Sequence, residues 1–256
     1  MLTEMDKYEI HCGKRYLDYT EDAHFRALRD PSNPESYESN YAVLKDLEEA
    51  ETSLARIELF FTGTKAQTKL WSRPDSAPLA ELRPFLTAHG YIIKEYQTTR
   101  MLLTTKPSPL LLQHKCTVKC LVGARTQAEQ TLLQMCCNDH DYEIKMMERQ
   151  IAAGARLFMA YSIDGTPVSC VLGESFGSAF YFSDVFTTHS YRNRGFAAAV
   201  IFEGIRYAKD VGYTDLFLDC TEPGPMHLYE KIGFRGETVN RFWAFRDTLP
   251  VGIEQL

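Results

Sequence analysis

The chain has 256 residues, of which 45% are hydrophobic and 24% charged, enough apolar material for one large core or two smaller ones. Its net charge of −6 and the lack of a long basic run argue against nucleic acid as the main partner, because contacts to phosphate dominate such affinity. No apolar stretch approaches 18 residues and the polar residues 1–7 lack a signal-peptide pattern, so we expect a cytoplasmic protein with no membrane partner.

Residues 1–115 alternate between strand and helix patterns. Strands are predicted at 40–44, 67–71 and 91–103, and helices at 47–61 and 79–88. The segment Pro107-Ser108-Pro109 is the natural linker to the later part of the chain. The order β-α-β-α-β therefore predicts a smaller α/β domain over 1–115.

Residues 116–256 carry a longer series of elements. A strand is predicted at 117–124, then helices at 127–137 and 142–153, and then a hairpin of 157–163 and 168–174 that turns at Asp164-Gly165. A strand at 179–187, a helix at 196–209, a strand at 216–220 and a short helix ending at Gly233 come next. This order predicts a mixed α/β domain whose strongly twisted sheet has helices on both faces.

The seven cysteines do not form a disulfide-framework pattern, and several lie within apolar runs. Reduced, buried thiols are therefore the expected state. Cys116 and Cys120 are spaced like a metal clip but lack a second ligand pair, and alternation along a strand explains them better. We expect no bound metal.

A short basic turn joins the strand at 179–187 to the helix that comes after it. The first N–H groups of a helix have no partner within the helix and carry partial positive charge, which makes this end a site for anions. Arg192 and Arg194 add positive charge, and Gly195 lets backbone amides approach a bulky anion. The segment predicts a phosphate or pyrophosphate site.

The pattern Arg192-x-x-Gly195-x-Ala197 resembles the acyl-CoA pyrophosphate loop of the GNAT (GCN5-related N-acetyltransferase) superfamily, written Arg/Gln-x-x-Gly-x-Gly/Ala. Downstream, Leu228-Tyr229-Glu230-Lys231-Ile232-Gly233-Phe234 resembles a second block of that superfamily, at its usual spacing. The resemblance implies a GNAT-type twisted mixed sheet. It also implies an N-acetyltransferase that moves acetyl from the co-substrate acetyl-CoA to a primary amine within a ternary complex.

The resemblance assigns cofactor contacts residue by residue. The backbone of the strand end would bind the pantetheine arm, with an amide there facing the thioester oxygen, and the turn with the first helical residues would bind the pyrophosphate. The strand residues are Val185, Phe186 and Thr187, and the turn and helix residues are Arg192, Asn193, Arg194, Gly195, Phe196, Ala197 and Ala198.

The chain offers three catalytic candidates. Tyr229 matches the tyrosine that many GNAT enzymes place near the CoA sulfur as general acid, although it could also be an ordinary packing aromatic. Asp184 is the first candidate for the general base, with Glu174 as an alternative, and either could instead be a solvated carboxylate. Glu222 stands where the family often has Asn, so it would meet the incoming ammonium or act as base.

Other aspects of function stay open at this level. The first 115 residues are either a degenerate GNAT repeat, with His89-Gly90-Tyr91 standing where Ile232-Gly233-Phe234 stands, or an unrelated cap. Only the later part has a phosphate loop, so we expect one cofactor site, in a monomer or homodimer. A non-catalytic acyl-CoA-binding sensor or regulatory module is the alternative to an enzyme, and the acceptor is not indicated.

Overall fold

The computed structural model describes residues 2–105 and 116–246. Its helices and strands, in chain order, are α1 (Glu4–His11), β1 (Asp18–Glu21), β2 (Phe25–Arg29), β3 (Tyr41–Leu44), α2 (Ala50–Phe61), β4 (Lys69–Trp71), α3 (Leu79–Ala88), β5 (Ile92–Leu103), β6 (Thr117–Leu121), α4 (Gln127–Cys136), α5 (Asp141–Ala152), β7 (Arg156–Tyr161), β8 (Pro167–Phe176), β9 (Ala179–Thr187), α6 (Phe196–Val211), β10 (Asp215–Cys220), α7 (Pro223–Ile232) and β11 (Phe234–Phe245). Short 3-10 turns lie directly after α1 and before α6.

The chain folds into two compact units. The first takes the residues up to Thr98 and those from Val239 onward, and the second takes Thr99–Thr238. The chain crosses between them within β5 and within β11, so the units differ from the predicted domains 1–115 and 116–256. The predicted linker at 107–109 lies outside the described residues. The identity of the N-terminal part as a degenerate repeat remains a prediction.

In the first unit the strands pair in the order β1-β2-β3-β4-β11, antiparallel except for β3 and β4. Helices α2 and α3 bury apolar residues against one face of these strands, among them Leu54, Ile57 and Leu82. The other face carries a second cluster, in which Trp71 and Trp243 stack with ring centroids 4.2 Å apart.

In the second unit the order is β5-β10-β9-β8-β7-β6, and only β9 and β10 are parallel among these described strands. Successive residues of a strand point to opposite faces. Accordingly Phe158 packs with α6, whereas Leu157 and Met159 pack with α4 and α5. The predicted mixed sheet with helices on both faces is confirmed.

Most predicted elements of the chain are present, with small shifts at their ends. The helix at 79–88 and the strand at 179–187 occupy the predicted residues. The helix predicted from residue 47 begins at Ala50, because the Asp46 carboxylate accepts the N–H of Glu48 and holds a turn there. The short helix predicted to end at Gly233 begins at Pro223, so Pro223 and Pro225 both lie in its first turn, where no amide hydrogen is needed.

Candidate active site

The opening of the site lies where β9 and β10 separate. In the described residues the two strands pair from Ala179–Asp215 to Phe182–Leu218 and no further. Beyond Phe182, β9 continues for five residues along β8 alone. A stretch of strand edge therefore faces an opening between two parallel strands, where backbone groups are available to a ligand.

A β-bulge shapes this edge. Leu172 pairs with Ser183 and Cys170 pairs with Phe186, so Asp184 and Val185 together stand opposite the single residue between them on β8. Asp184 has φ of +53°, in the left-handed region that residues with a side chain seldom adopt.

The bulge sets the direction of the backbone groups that come after it. The N–H of Thr188 donates to Val168 at 3.0 Å, and Phe186 pairs with Cys170, so these two residues face β8. Because backbone groups alternate along a strand, those of Val185 and Thr187 face the opposite side, toward the opening. The Ser169 hydroxyl fixes this arrangement by donating to the Phe186 carbonyl at 2.7 Å.

The predicted phosphate turn, residues 192–198, lies just beyond the strand end. Asn193 has φ of +61° and Gly195 has φ of +84°, and alternation of such conformations turns successive N–H groups into a concave anion site. Gly195 is the N-cap of α6 and no side chain caps the helix. The first internal bond runs from Ala199 to the Gly195 carbonyl, and the Arg192 N–H donates to the His189 carbonyl, so the amides of 193–198 are those left for a ligand.

Two residues of this turn, Arg192 and Arg194, carry exposed guanidinium groups. Arg192 Nε donates to the Thr187 carbonyl at 3.1 Å, which ties the turn to the end of β9. The Arg194 guanidinium lies over the Tyr191 ring, 5.4 Å from its centroid, and Tyr191 in turn packs edge-on against Phe196. Positive charge is thus held at the N-terminus of α6, where it adds to the helix dipole.

Tyr229 lies on α7 with 6% of its surface exposed, edge-on to Phe234. Burial raises the pKa of its phenol above the ordinary value, and the nearby Cys220 and Glu222 raise it further. The phenol is therefore protonated at neutral pH and is a hydrogen-bond donor in a largely dry environment.

Asp184 is exposed at the bulge, yet protein atoms crowd around its carboxylate. The resulting loss of hydration raises the pKa of Asp184, a hydrogen bond from Ser183 Oγ at 2.8 Å lowers it, and the negative charge of Glu143 raises it. The net effect is upward, which makes the carboxylate a better proton acceptor near neutral pH.

The other two carboxylates differ in their surroundings. Glu174 on β8 is 1% exposed and accepts a hydrogen bond from Gln150 Nε2 at 3.3 Å, so it is built into the interior. Glu222 is the exposed N-cap residue of α7, and its carbonyl accepts a hydrogen bond from Cys220 Sγ at 3.3 Å. Of these two, only Glu222 lies at the surface near Tyr229.

Two thiols at the bulge were not singled out by the sequence patterns. Cys136 Sγ and Cys170 Sγ lie 3.6 Å and 3.9 Å from the Asp184 carbonyl oxygen. No local motif indicates these contacts, because they join α4 and β8 to β9. Over residues 2–105 and 116–246, no group of three or more potential ligands could hold a metal, and no helix is long and apolar enough to cross a membrane.

A mixed α/β sheet opened between two parallel strands, with an uncapped helix N-terminus at that opening, is the arrangement expected from the resemblance to the GNAT superfamily. Residues 128–234 match the model of the acetyltransferase (GNAT) family, so the chain contains a GNAT acyltransferase domain. The matched segment runs from the start of α4 to the start of β11. No curated protein is similar enough to the whole sequence to match it.

Solved structures resemble the chain over nearly its full length. A GCN5-related N-acetyltransferase from Kribbella flavida has a TM-score of 0.68 at 16% identity, covering 95% of each chain. An acetyltransferase of the GNAT family from Novosphingobium aromaticivorans has a TM-score of 0.56 at 16% identity, covering 90% of this chain and 92% of its own. A glucosamine N-acetyltransferase region of a fungal multi-domain β-N-acetylglucosaminidase has a TM-score of 0.61 at 14% identity, covering 93% of this chain and 34% of its own. At such identities the likeness is one of fold.

Proposed function

We propose that the chain is an N-acetyltransferase that moves acetyl from acetyl-CoA to a primary amine by direct attack. The observation that carries this proposal is the uncapped N-terminus of α6 directly beyond the end of β9, where β9 pairs with β8 but no longer with β10. The helix N-terminus suits a pyrophosphate group, and the open edge of β9 suits the amide groups of a pantetheine arm. A single short turn separates the two. Few ligands other than an acyl-CoA combine these two chemistries.

The turn and the strand end would bind different parts of the cofactor. The amides of Asn193 to Ala198, with Arg192 and Arg194, would bind the pyrophosphate. The backbone of Val185 and the N–H of Thr187 would pair with the pantetheine arm as an added strand does, since the Thr187 carbonyl already accepts from Arg192 Nε. An amide of this edge would donate to the thioester oxygen as negative charge develops there.

The reaction requires three proton movements. Asp184 receives, directly or through water, the proton that the acceptor ammonium loses before it attacks. The neutral amine nitrogen forms a bond to the thioester carbon, the carbon–sulfur bond breaks, and the CoA thiolate takes up the phenolic proton of Tyr229. The second proton of the attacking nitrogen, passed through water, restores the Tyr229 phenol and leaves a neutral amide. Glu222, exposed beside Tyr229, attracts the cationic acceptor to the opening.

The test is release of free CoA thiol from acetyl-CoA, measured with a panel of amines. The panel holds polyamines, amino acids, aminoglycosides and glucosamine, the last because a structurally similar fungal region carries that acceptor in its name. Calorimetric titration of CoA runs beside it. Turnover with one class of amine supports the proposal and identifies the acceptor.

Gly195→Glu supplies the decisive variant, because a carboxylate at this position repels the pyrophosphate and strains a residue with φ of +84°. Gly212→Glu is its matched control: Gly212 ends the same helix with φ of +102° and open space around it. We expect CoA affinity to fall at least about 100-fold in the first and to persist in the second. CoA binding without turnover on any amine would favour the binding module, and no CoA binding at all would overturn the proposal.

A further inference from the structure

Two thiol groups contact the backbone of the Asp184 bulge. Neither of them is among the residues proposed to bind the cofactor. The Asp184 carbonyl faces away from the opening and lies within hydrogen-bond distance of Cys136 Sγ and Cys170 Sγ. Cys136 ends α4 and is half-buried, whereas Cys170 is fully buried on β8. One carbonyl group thus receives donors from two different elements.

The Cys136 thiol is suited to act as a donor. The neighbouring Cys137 thiol lowers the pKa of Cys136, but a hydrogen bond with Cys170 and burial raise it, and the net effect is upward. A protonated thiol has one hydrogen to donate, so whenever one thiol donates to the other, the Asp184 carbonyl accepts from the remaining thiol alone. The left-handed backbone of Asp184 is strained for a residue with a side chain, and such a conformation persists only where surrounding contacts hold it.

We propose that Cys136 and Cys170 are positioning residues for acyl transfer, which set the edge amides of β9 by fixing the Asp184 carbonyl. Rotation of that carbonyl turns the plane of the next peptide, which contains the N–H of Val185. This inference rests on the proposed function, since it assigns the thiols a role in aligning a donor with the thioester oxygen. The pyrophosphate site, seven or more residues further along the chain, is independent of it.

The test compares the double variant Cys136→Ala/Cys170→Ala with two controls. Cys120→Ala removes a half-buried thiol from β6 of the same unit, away from the bulge. Cys136→Ser/Cys170→Ser keeps a donor at each position. Measurements are kcat and KM for the acceptor, calorimetric Kd for CoA, and hydrogen–deuterium exchange of the peptide that covers residues 183–187.

We expect kcat of the double alanine variant to fall about 10-fold or more, because a misaligned donor loses much of its effect on the transition state. The Kd for CoA should change less than about twofold, since the phosphate turn carries most of the charge interaction. Exchange at residues 183–187 should rise, whereas the Cys120→Ala variant should match wild type. The serine variant should recover at least half of the lost kcat.

An unchanged kcat in the double alanine variant would overturn the inference. So would an equal loss of kcat and CoA affinity together with global loosening, because that pattern indicates a structural role only. If wild type itself shows no turnover, the proposed function fails, and the exchange experiment then decides the inference. Unaltered exchange at residues 183–187 in the alanine variant would overturn it, and selective loosening there would retain the thiols as the support of the bulge.

Discussion

At the scale of single residues, the site places an acidic group where its proton affinity can be tuned by a neighbour. Ser183 Oγ donates to Asp184 Oδ2 at 2.8 Å, and this bond stabilises the charged carboxylate. Crowding by protein atoms acts in the opposite direction and raises the pKa of Asp184. The balance of the two sets the pH below which the proposed base is protonated and inactive.

Ser183→Ala tests that balance. Without the hydroxyl donor the pKa of Asp184 rises further, so the acid limb of the kcat/KM profile should move to higher pH by roughly 0.5–1 unit. Asp184→Asn should abolish that limb and lower kcat. If the pH profile of kcat/KM for Ser183→Ala coincides with that of the wild type, Asp184 is not the general base.

A second titrating residue lies away from the site, in the first unit. Lys69 on β4 is 1% exposed beside Phe245 of β11, and burial lowers its pKa to about 7. The folded protein therefore binds this proton less tightly than the unfolded chain does. The cost to stability is fully present below pH 7, shrinks as pH rises, and is gone once the pH exceeds the ordinary lysine value near 10.5.

Lys69→Met should accordingly raise the free energy of unfolding by about 1–4 kcal/mol at pH 6, because it replaces a buried charge by an apolar chain of similar length. The gain should shrink steadily between pH 7 and pH 10. Urea denaturation at several pH values measures this. Exposed Lys65, substituted in the same way, should change stability by less than about 0.5 kcal/mol, and equal effects at the two positions would contradict the prediction.

At the scale of elements, α6 depends on a close approach to β9. A Cβ placed on Gly204 would lie 2.6 Å from Cε1 of Phe182, a ring that is 1% exposed. The helix therefore packs the strand at the point where the strand leaves its partner β10. This contact supports both the phosphate turn at the start of α6 and the opening beside β9.

Gly204→Ala should destabilise the protein by about 1–3 kcal/mol, since overpacking outweighs the gain in helix propensity. Gly224→Ala in α7 is the matched control, because open space surrounds Gly224 and only the propensity gain applies. Thermal denaturation should show opposite or unequal shifts for the two variants. A higher stability of the Gly204→Ala variant would contradict the prediction, because it would show that the Phe182 ring can shift to make room for the added methyl group.

At the scale of the whole molecule, the first unit is closed by residues from the two ends of its sequence. Arg241 on β11 donates to both oxygens of Glu9 on α1, at 2.8 and 2.9 Å, and Arg73 reaches the same carboxylate at 3.4 Å. Glu9 and Arg241 are both buried and 232 positions apart. The unit that begins the chain therefore requires a strand near its end.

Glu9→Gln should cost about 3–5 kcal/mol, because it removes a buried negative charge that Arg241 and Arg73 both contact. Glu58→Gln, which removes the partner of Arg246 at a more exposed pair, should cost less than about 1 kcal/mol. Chemical denaturation of the full chain distinguishes the two. Similarly small losses of unfolding free energy in both variants would show that Glu9 does not stabilise the unit more than an exposed carboxylate does.

Much of the fold and part of the site could be predicted because they are local. The strand at 179–187, the turn with Gly195 and the helix after it depend on the period of apolar residues and on backbone freedom within a few positions. The sequence pattern predicts no element before residue 40, since β1 and β2 are short and α1 has a weak apolar face. The site roles of Tyr229, Asp184 and Glu222 stay predictions that substitution at each position can test.

Interactions between near neighbours along the chain were enough to determine the order of most elements after residue 40 and the glycine-containing turn before α6. Three further features required the tertiary structure: the bulge that puts Asp184 in the left-handed region, the two thiols on its carbonyl, and the closing of the first unit by Arg241. Each joins residues that are remote in sequence, and their meeting depends on strand register and packing across the entire fold.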